Sequence, residues 1–441
     1  MLNLDAVRAC LEGAVPGVMA TCDGDGLPNV AYLSQMEYVD AEHIALSFQF
    51  FNTTRRNVIA NPRSTLLLTH PATGAFYRLA LLYLRTEISG PLFERMRAKL
   101  SGIAAHTGMS GVFKLQGSDV YRVLAVEDVP GNAPLLAPGR PLLAALRRLS
   151  DGLCDCIDLD ELLSETLAGM RRYLGIEHAM ILLVDEGGGR LYTVASLGYE
   201  HSGVGSEIAL GEGIIGIAAA QRTAIRIGYM TLEYGYGRAV RERAVDSGLG
   251  DLLETEIPLP GLPASRSQLA VPIARGGALQ GVLYVESAEE LRFDYDHEDA
   301  LATLAVQLGL AMAALPARAE LEHGTGEPPP AVAPAVLLRH HAATDSVFLG
   351  EDYLIKGVAG AILWALAQDY CERHRTQFSN RELRLDPRIR LPELSDNLEA
   401  RLILLQRRLQ ERAAPLRIEK AGRGRFQLRV SCRLELQEIA G

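Results

Sequence analysis

Cysteine is scarce in this 441-residue sequence and never arranged in pairs. Its six residues, Cys10, Cys22, Cys154, Cys156, Cys371 and Cys432, are scattered and form no Cys-x-x-Cys motif. That argues against a disulfide framework and predicts free thiols. Cys154-Asp155-Cys156 offers two soft ligands without neighbouring partners, so helix-end packing stands beside a metal site as its reading. The opening MLNLDAVRACLEG lacks the basic flank, apolar core and small-residue cleavage site of a secretory leader. Long apolar runs are missing too. The stretch around Tyr77 to Leu84 is broken by Arg78 and bounded by Arg85, short of the roughly 18 clean residues of a membrane span. These absences predict a cytoplasmic chain with no membrane partner.

What is present is the balance of a folded globular protein, with 48% hydrophobic and 22% charged residues. The length suits two to four domains, each able to bury a core. The net charge of −10 is unevenly spread. From Val336 to Gly441 there are 18 basic against 14 acidic residues, and before that 26 against 40. A basic tail on an acidic body fits a nucleic-acid-reading module joined to acidic sensors. The run 317–335, with three consecutive prolines at 328–330, interrupts apolar periodicity and reads as a linker. Breaks at Pro130–Pro134 and Pro138-Gly139 mark a second boundary. The division is 1–130, 141–316, the linker 317–335, and 336–441.

In the first module, Gly17–Cys22, Pro28–Leu33 and His43–Phe48 alternate as strands of a meander, with a turn at Asp23-Gly-Asp-Gly26. A helix from about Asn52 to Ala60 stops at Asn61-Pro62. With Gly111–Leu115 and Asp119–Arg122, these segments resemble the split barrel of the pyridoxamine 5′-phosphate oxidase family. The resemblance implies FMN binding, with the phosphate at the helix N-terminus where free N–H groups and the helix dipole favour an anion. The implied cofactor-binding residues are Asn52, Thr53, Thr54, Arg55, Arg56 and Asn57. Thr54 stands where the family commonly has lysine and Asn52 where it often has serine, so Arg55 or Arg56 would have to supply the positive charge. A barrel serving only as a dimerisation core is the alternative. No substrate-phosphate cluster for an active oxidase is evident.

In the second module, leucines at 142, 146, 149 and 153 and at 301, 304, 308 and 315 mark flanking helices. Their seams fit packing on the module's own sheet or against a twin. The strand end Leu-Leu-Val-Asp-Glu at 182–186, the loop Gly211-Glu-Gly-Ile-Ile-Gly216, Ser267–Ile273 and Gly277–Ser287 resemble a GAF domain in order and spacing. The glycine loop lacks the Gly-Lys-Ser/Thr ending of a P-loop and predicts a tight turn into a helix. The resemblance implies an antiparallel α/β/α sensor with a pocket roofed by about 226–265. There Tyr229, Tyr234, Tyr236, Arg238 and Arg241 suit a planar anionic ligand, or else form a loop surface. That roof holds no cysteine for a covalent bilin.

The third module begins with a helix at Gly357–Arg373. A capping-box pattern at Ser379–Glu382 opens a second, and Asp396–Glu399 a third. Leu398, Leu402, Leu405 and Leu409 form the buried stripe of the third helix. Beyond Pro415, two alternating strands surround Gly422-Arg-Gly-Arg425. Three helices and a basic hairpin resemble the winged-helix output domain of bacterial response regulators, although the glycines of the hairpin are shifted from the family pattern. The resemblance implies double-stranded DNA as partner and Asn397, Arg401, Arg407, Arg408, Arg423 and Arg425 as contacts. A solvated face docking another protein is the alternative.

No fixed-period repeat and no receiver, kinase or cyclase signature is found. The predicted whole is a multidomain α+β protein: split β-barrel, GAF domain and C-terminal winged helix. It reads as a homodimeric ligand- or redox-sensing transcription regulator, with binding rather than chemistry as its output. A flavin-dependent oxidoreductase with regulatory domains, or a signalling protein that does not bind DNA, are the competing classes.

Overall fold

The computed structural model describes residues 3–11, 15–33, 35–48, 53–71, 73–106, 115–130, 142–185, 189–228, 257–318, 335–389, 398–422 and 424–439. In the first module, β1 (Gly17–Cys22) and β2 (Pro28–Leu33) form the expected hairpin, followed by β3 (Met36–Tyr38) and β4 (His43–Phe48). Helix α1 (Thr53–Ala60) leads to β5 (Arg63–Thr69) and β6 (Phe76–Glu87), then α2 (Pro91–His106) and β7 (Gly117–Val129). The seven strands pair antiparallel in the order β2-β1-β5-β6-β7-β4-β3. One strand face carries Met19, Ile44, Leu66, Leu68, Leu79 and Leu81 into the core, which a 3₁₀ helix (Leu4–Leu11) covers with Leu4, Val7 and Leu11. The apolar stretch around Tyr77 to Leu84 is the middle of β6; its alternation, not a continuous greasy run, is what a half-buried strand requires.

The second module opens with α3 (Leu142–Asp155) and α4 (Leu159–Gly169), the latter capped by Asp158 and extended by a π turn (Met170–Leu174). Strands β8 (His178–Val184), β9 (Arg190–Leu197) and β10 (Glu207–Ala209) precede α5 (Gly213–Gln221) and β11 (Ile225–Ile227). Then come β12 (Ser267–Arg275), β13 (Ala278–Ser287) and α6 (Tyr295–Arg318). The sheet order is β10-β9-β8-β13-β12-β11, antiparallel throughout. Strand β8 is buried along nearly its whole length because both sheet faces are covered, which explains its unbroken apolar sequence. On one face lie Leu146, Leu149 and Leu153 of α3 and Leu301, Leu304 and Leu308 of α6. On the other, Ile214, Ile215 and Ile217 of α5 pack on Met180, Leu182 and Tyr284. The leucine seams therefore face their own sheet, while Leu143, Val306 and Leu310 remain exposed. By length and composition Tyr295–Leu315 could cross a membrane, contrary to the expectation that no apolar run is long enough. Its buried leucines pack on the sheet.

The third module holds a feature that the sequence reading did not anticipate. Ahead of the first helix run three strands, β14 (Ala335–His341), β15 (Ser346–Leu349) and β16 (Asp352–Ile355). Helix α7 (Gly357–Arg373), β17 (Gln377–Ser379), α8 (Asn380–Leu385) and α9 (Leu398–Glu411) follow, then β18 (Leu416–Lys420), β19 (Arg425–Val430) and β20 (Arg433–Ile439). The capping box at Ser379 and Glu382 forms with both reciprocal bonds. Strand β20 returns to pair in parallel with β14, giving the order β16-β15-β14-β20, and β17-β19-β18 form a second sheet. The predicted stripe Leu398, Leu402, Leu405 and Leu409 is buried.

Candidate functional site

At the start of α1, Thr53 and Arg56 are exposed and Thr54 and Asn57 buried. The Arg56 guanidinium donates to Thr53 Oγ1 at 3.1 Å. Thr54 Oγ1 accepts from Asn29 Nδ2 at 2.9 Å, and Asn57 Nδ2 donates to Thr21 Oγ1 at 3.2 Å, which fastens the helix to the β1–β2 hairpin. Arg55 points elsewhere. Its Nη1 donates to both oxygens of buried Asp119 at 2.6 and 2.8 Å, and its Nη2 to Thr86 Oγ1 at 3.1 Å. Asp119 takes one arm of the guanidinium and Thr86 the other. These residues thus fit a flavin phosphate through Arg56, Thr53 and the helix N-terminus, and not through Arg55. Asn52 lies outside the described residues.

The proposed roof residues Tyr229, Tyr234, Tyr236, Arg238 and Arg241 also lie outside the described residues. On the sheet face beneath α5, the structure brings together a cluster that the sequence reading missed. Glu286 is only 3% exposed; its Oε1 accepts from the Leu262 amide at 3.0 Å and its Oε2 from the Tyr284 hydroxyl at 3.4 Å. Burial and the adjacent Glu286 charge push the phenols of Tyr284 and Tyr199 well above their ordinary value. His178 meets Tyr199 edge to face at 5.5 Å between centroids. A charged residue ending the apolar run Gly281-Val-Leu-Tyr-Val285 was the sequence signal available for it.

The arginines of α9 are divided among three environments. Arg401 pairs with Asp185 at the end of β8 and lies 3.9 Å over the ring of Tyr192 in β9. Arg407 donates to Asp160 at 2.6 Å, to Ser164 Oγ at 3.1 Å and to the Val194 carbonyl at 2.8 Å. Arg408 is 4% exposed and belongs to its own module's interior, donating to the Leu354 carbonyl and to Glu411, each at 3.0 Å. The expectation that Arg401, Arg407 and Arg408 share one open DNA-contacting face is thereby corrected: β16 covers Arg408, and the second module covers Arg401 and Arg407. Arg425 is exposed beside the hairpin turn, whereas Asn397 and Arg423 lie outside the described residues.

A buried charge network joins the first two modules. Glu37 accepts from Lys99 at 3.1 Å and pairs with Arg95 at 3.0 Å, while Glu298 pairs with Arg226 at 2.8 Å and lies 3.9 Å from Lys99. Arg8 and Arg226 both stack on Tyr295. Burial alone would raise the Glu298 carboxyl, but Lys99 and Arg226 outweigh it and hold it below its ordinary value.

Residues 156–313 match the family model for the GAF domain, and residues 4–105 match the one for pyridoxamine 5′-phosphate oxidase. The chain carries a GAF domain and, ahead of it, a domain like that of pyridoxamine 5′-phosphate oxidase. Among solved structures, the GAF domain of an Acinetobacter phosphoenolpyruvate-protein phosphotransferase is 23% identical, with 41% of this chain and 97% of that one covered, TM-score 0.32. Free methionine-R-sulfoxide reductase of Neisseria meningitidis with its substrate is 21% identical over 42% and 96%, TM-score 0.32. An FMN-binding protein of Syntrophomonas wolfei is 17% identical over 30% and 88%, TM-score 0.25. No curated protein matches the chain. The GAF domain thus comprises the β10-to-β11 sheet with its helices, and the Glu286 cluster sits on its α5 face. The oxidase-like domain is the seven-stranded sheet, with α2 carrying Lys99 toward Glu298 of the GAF domain.

Proposed function

We propose that this protein is a cytoplasmic, homodimeric sensory regulator whose C-terminal module is a winged helix binding double-stranded DNA. A small molecule at the GAF domain, or a flavin at the oxidase-like domain, sets its state. The observation that carries the DNA reading is the third module's element order: α7, β17, α8, α9, then a β18–β19 hairpin with Arg425 exposed by its turn. A helix followed by such a hairpin suits a major groove and its flanking phosphates. The excess of basic residues in 336–441 agrees with it. The test is selection of bound sequences from a randomised duplex pool by the purified full chain, followed by anisotropy titration across salt concentrations. Enrichment with a steep fall of affinity in salt is expected, and Arg425→Ala should reduce the log–log slope by about one. No enrichment and a flat salt response would remove DNA as the partner.

FMN is the ligand proposed for the oxidase-like domain, held by its phosphate at Thr53 and Arg56; when bound it supplies redox chemistry. Thr54 and Asn57 hold the helix in place for it. The absorption spectrum of native protein, with mass analysis of what denaturation releases, tests this. A colourless protein leaves the barrel as a dimerisation core.

A further inference from the structure

Helix α9 is enclosed on both sides: one face fills its own module and the other lies on the GAF domain. Four basic groups of the third module meet four carboxylates of the GAF surface. Arg401 pairs with Asp185, Arg407 with Asp160, Lys420 with Asp158 at 2.5 Å and Lys356 with Glu207 at 3.3 Å. Burial works against ionisation of Asp158, yet the Glu161 amide and the Lys420 ammonium outweigh it and hold its carboxyl below the ordinary aspartate value. Around these pairs, Ser202 donates to Glu411 at 2.9 Å. The seam is incompletely filled: a groove of about 790 Å³ runs along it, lined by Ser164, Arg171, Ser196, Gln406, Arg407 and Gln410. Apolar side chains of both domains also meet here in one continuous buried cluster, and Leu167, Leu197 and Val204 line part of the groove, so it is the charge pairs and the open groove, not the whole contact, that mark where the two bodies can part.

We propose that Asp158, Asp160, Asp185 and Glu207 of the GAF domain stand in for the phosphates of double-stranded DNA, occupying the basic face of α9 and its neighbours so that docking weakens, without abolishing, DNA binding. The inference rests on the DNA-binding reading above. Its physical content is competition: a spaced set of anions and a phosphate backbone cannot hold the same guanidinium and ammonium groups at once. Strand β9 gives the GAF domain a route to this contact. It places Leu191 on the α5 face and Tyr192, which carries Arg401, on the opposite one.

The test uses the full chain with Asp160→Asn and Asp185→Asn together, since asparagine removes the anions without adding cations that would themselves attract DNA. Hydrogen exchange of the α9 amides and anisotropy with a random-sequence duplex of about 30 base pairs, roughly three helical turns, are read side by side. Faster exchange in α9 with DNA affinity raised about tenfold is expected, as for a competent state released from minor population. The pair Arg401→Gln and Arg407→Gln should speed exchange equally without that gain. Faster exchange with DNA affinity equal to the parent's would overturn the competition and leave the DNA reading standing. If exchange quickens and neither parent nor variant binds DNA at low salt, the DNA reading itself falls and takes the proposal with it. Unchanged exchange would mean that these pairs do not hold the helix, and the proposal is lost on that ground alone.

Discussion

Arg408 follows Arg401 by seven residues, which on an α-helix returns nearly to the same face. Their surroundings nonetheless differ, because β16 crosses α9 at Arg408 and supplies the Leu354 carbonyl to its guanidinium. Burial lowers the affinity of this guanidinium for its proton, and the hydrogen bond to Glu411 only partly offsets that loss. Arg408→Ala is therefore expected to lower unfolding free energy by roughly 1–3 kcal/mol, because the Leu354 carbonyl is left without its donor. Chemical denaturation measures it, and an unchanged midpoint would contradict the buried role. Arg55 teaches the same lesson in the barrel. A forked guanidinium before Asn61-Pro62 reads as a phosphate ligand in sequence, and Asp119, 64 positions later, claims it. Leu354 and Asp119 lie 54 and 64 positions from the arginines they meet, so no window of sequence contains the answer.

Elements were the most legible scale. Strands β1, β2, β4 and β8 and helices α3, α7 and α9 follow from periodicity and capping, because those signals are written in adjacent residues. The glycine loop before α5 also behaves as a turn. Gly211 adopts φ +89°, and a Cβ on Gly216 would lie 2.2 Å from the Ala209 carbonyl oxygen. Gly216→Ala should destabilise the GAF domain by roughly 1–3 kcal/mol, since backbone and not a pliant side chain must yield; a thermal melt checks it. The start of α6 carries a pH signature. Burial would raise the Asp294 carboxyl, but hydrogen bonds from the His297 ring and amide outweigh it and hold it at about 2, against an ordinary 3.8. A depressed folded value contributes stability that is complete above 3.8 and lost as pH falls through about 2. Asp294→Asn keeps a capping oxygen and removes the titration. Its melting temperature should lie below the parent's at neutral pH and converge with it across that window, and a constant gap would deny the linkage.

At the scale of the whole molecule, contacts between domains decide what each surface is free to do. Glu298 is the countercharge for Arg226 and Lys99 where α2 meets the GAF domain. Glu298→Ala should cost up to about 3 kcal/mol, because Arg226 loses a buried countercharge while Lys99 keeps Glu37, and Glu298→Gln less. Urea denaturation followed in both domains tests this, and loss confined to neither would remove the network from the account of stability. Legible in the sequence alone were the oxidase-like domain followed by the GAF domain, the elements with strong period and caps, the turn glycines and the acidic-to-basic change along the chain. Each of these depends on residues close together in the chain. Only the tertiary structure decided that Arg55 faces Asp119, that Glu286 and Tyr284 share a buried corner, that β14–β16 precede α7, and that α9 lies against the GAF carboxylates. Those outcomes join residues tens to hundreds of positions apart, where burial and charge pairing, not local propensity, select the partner.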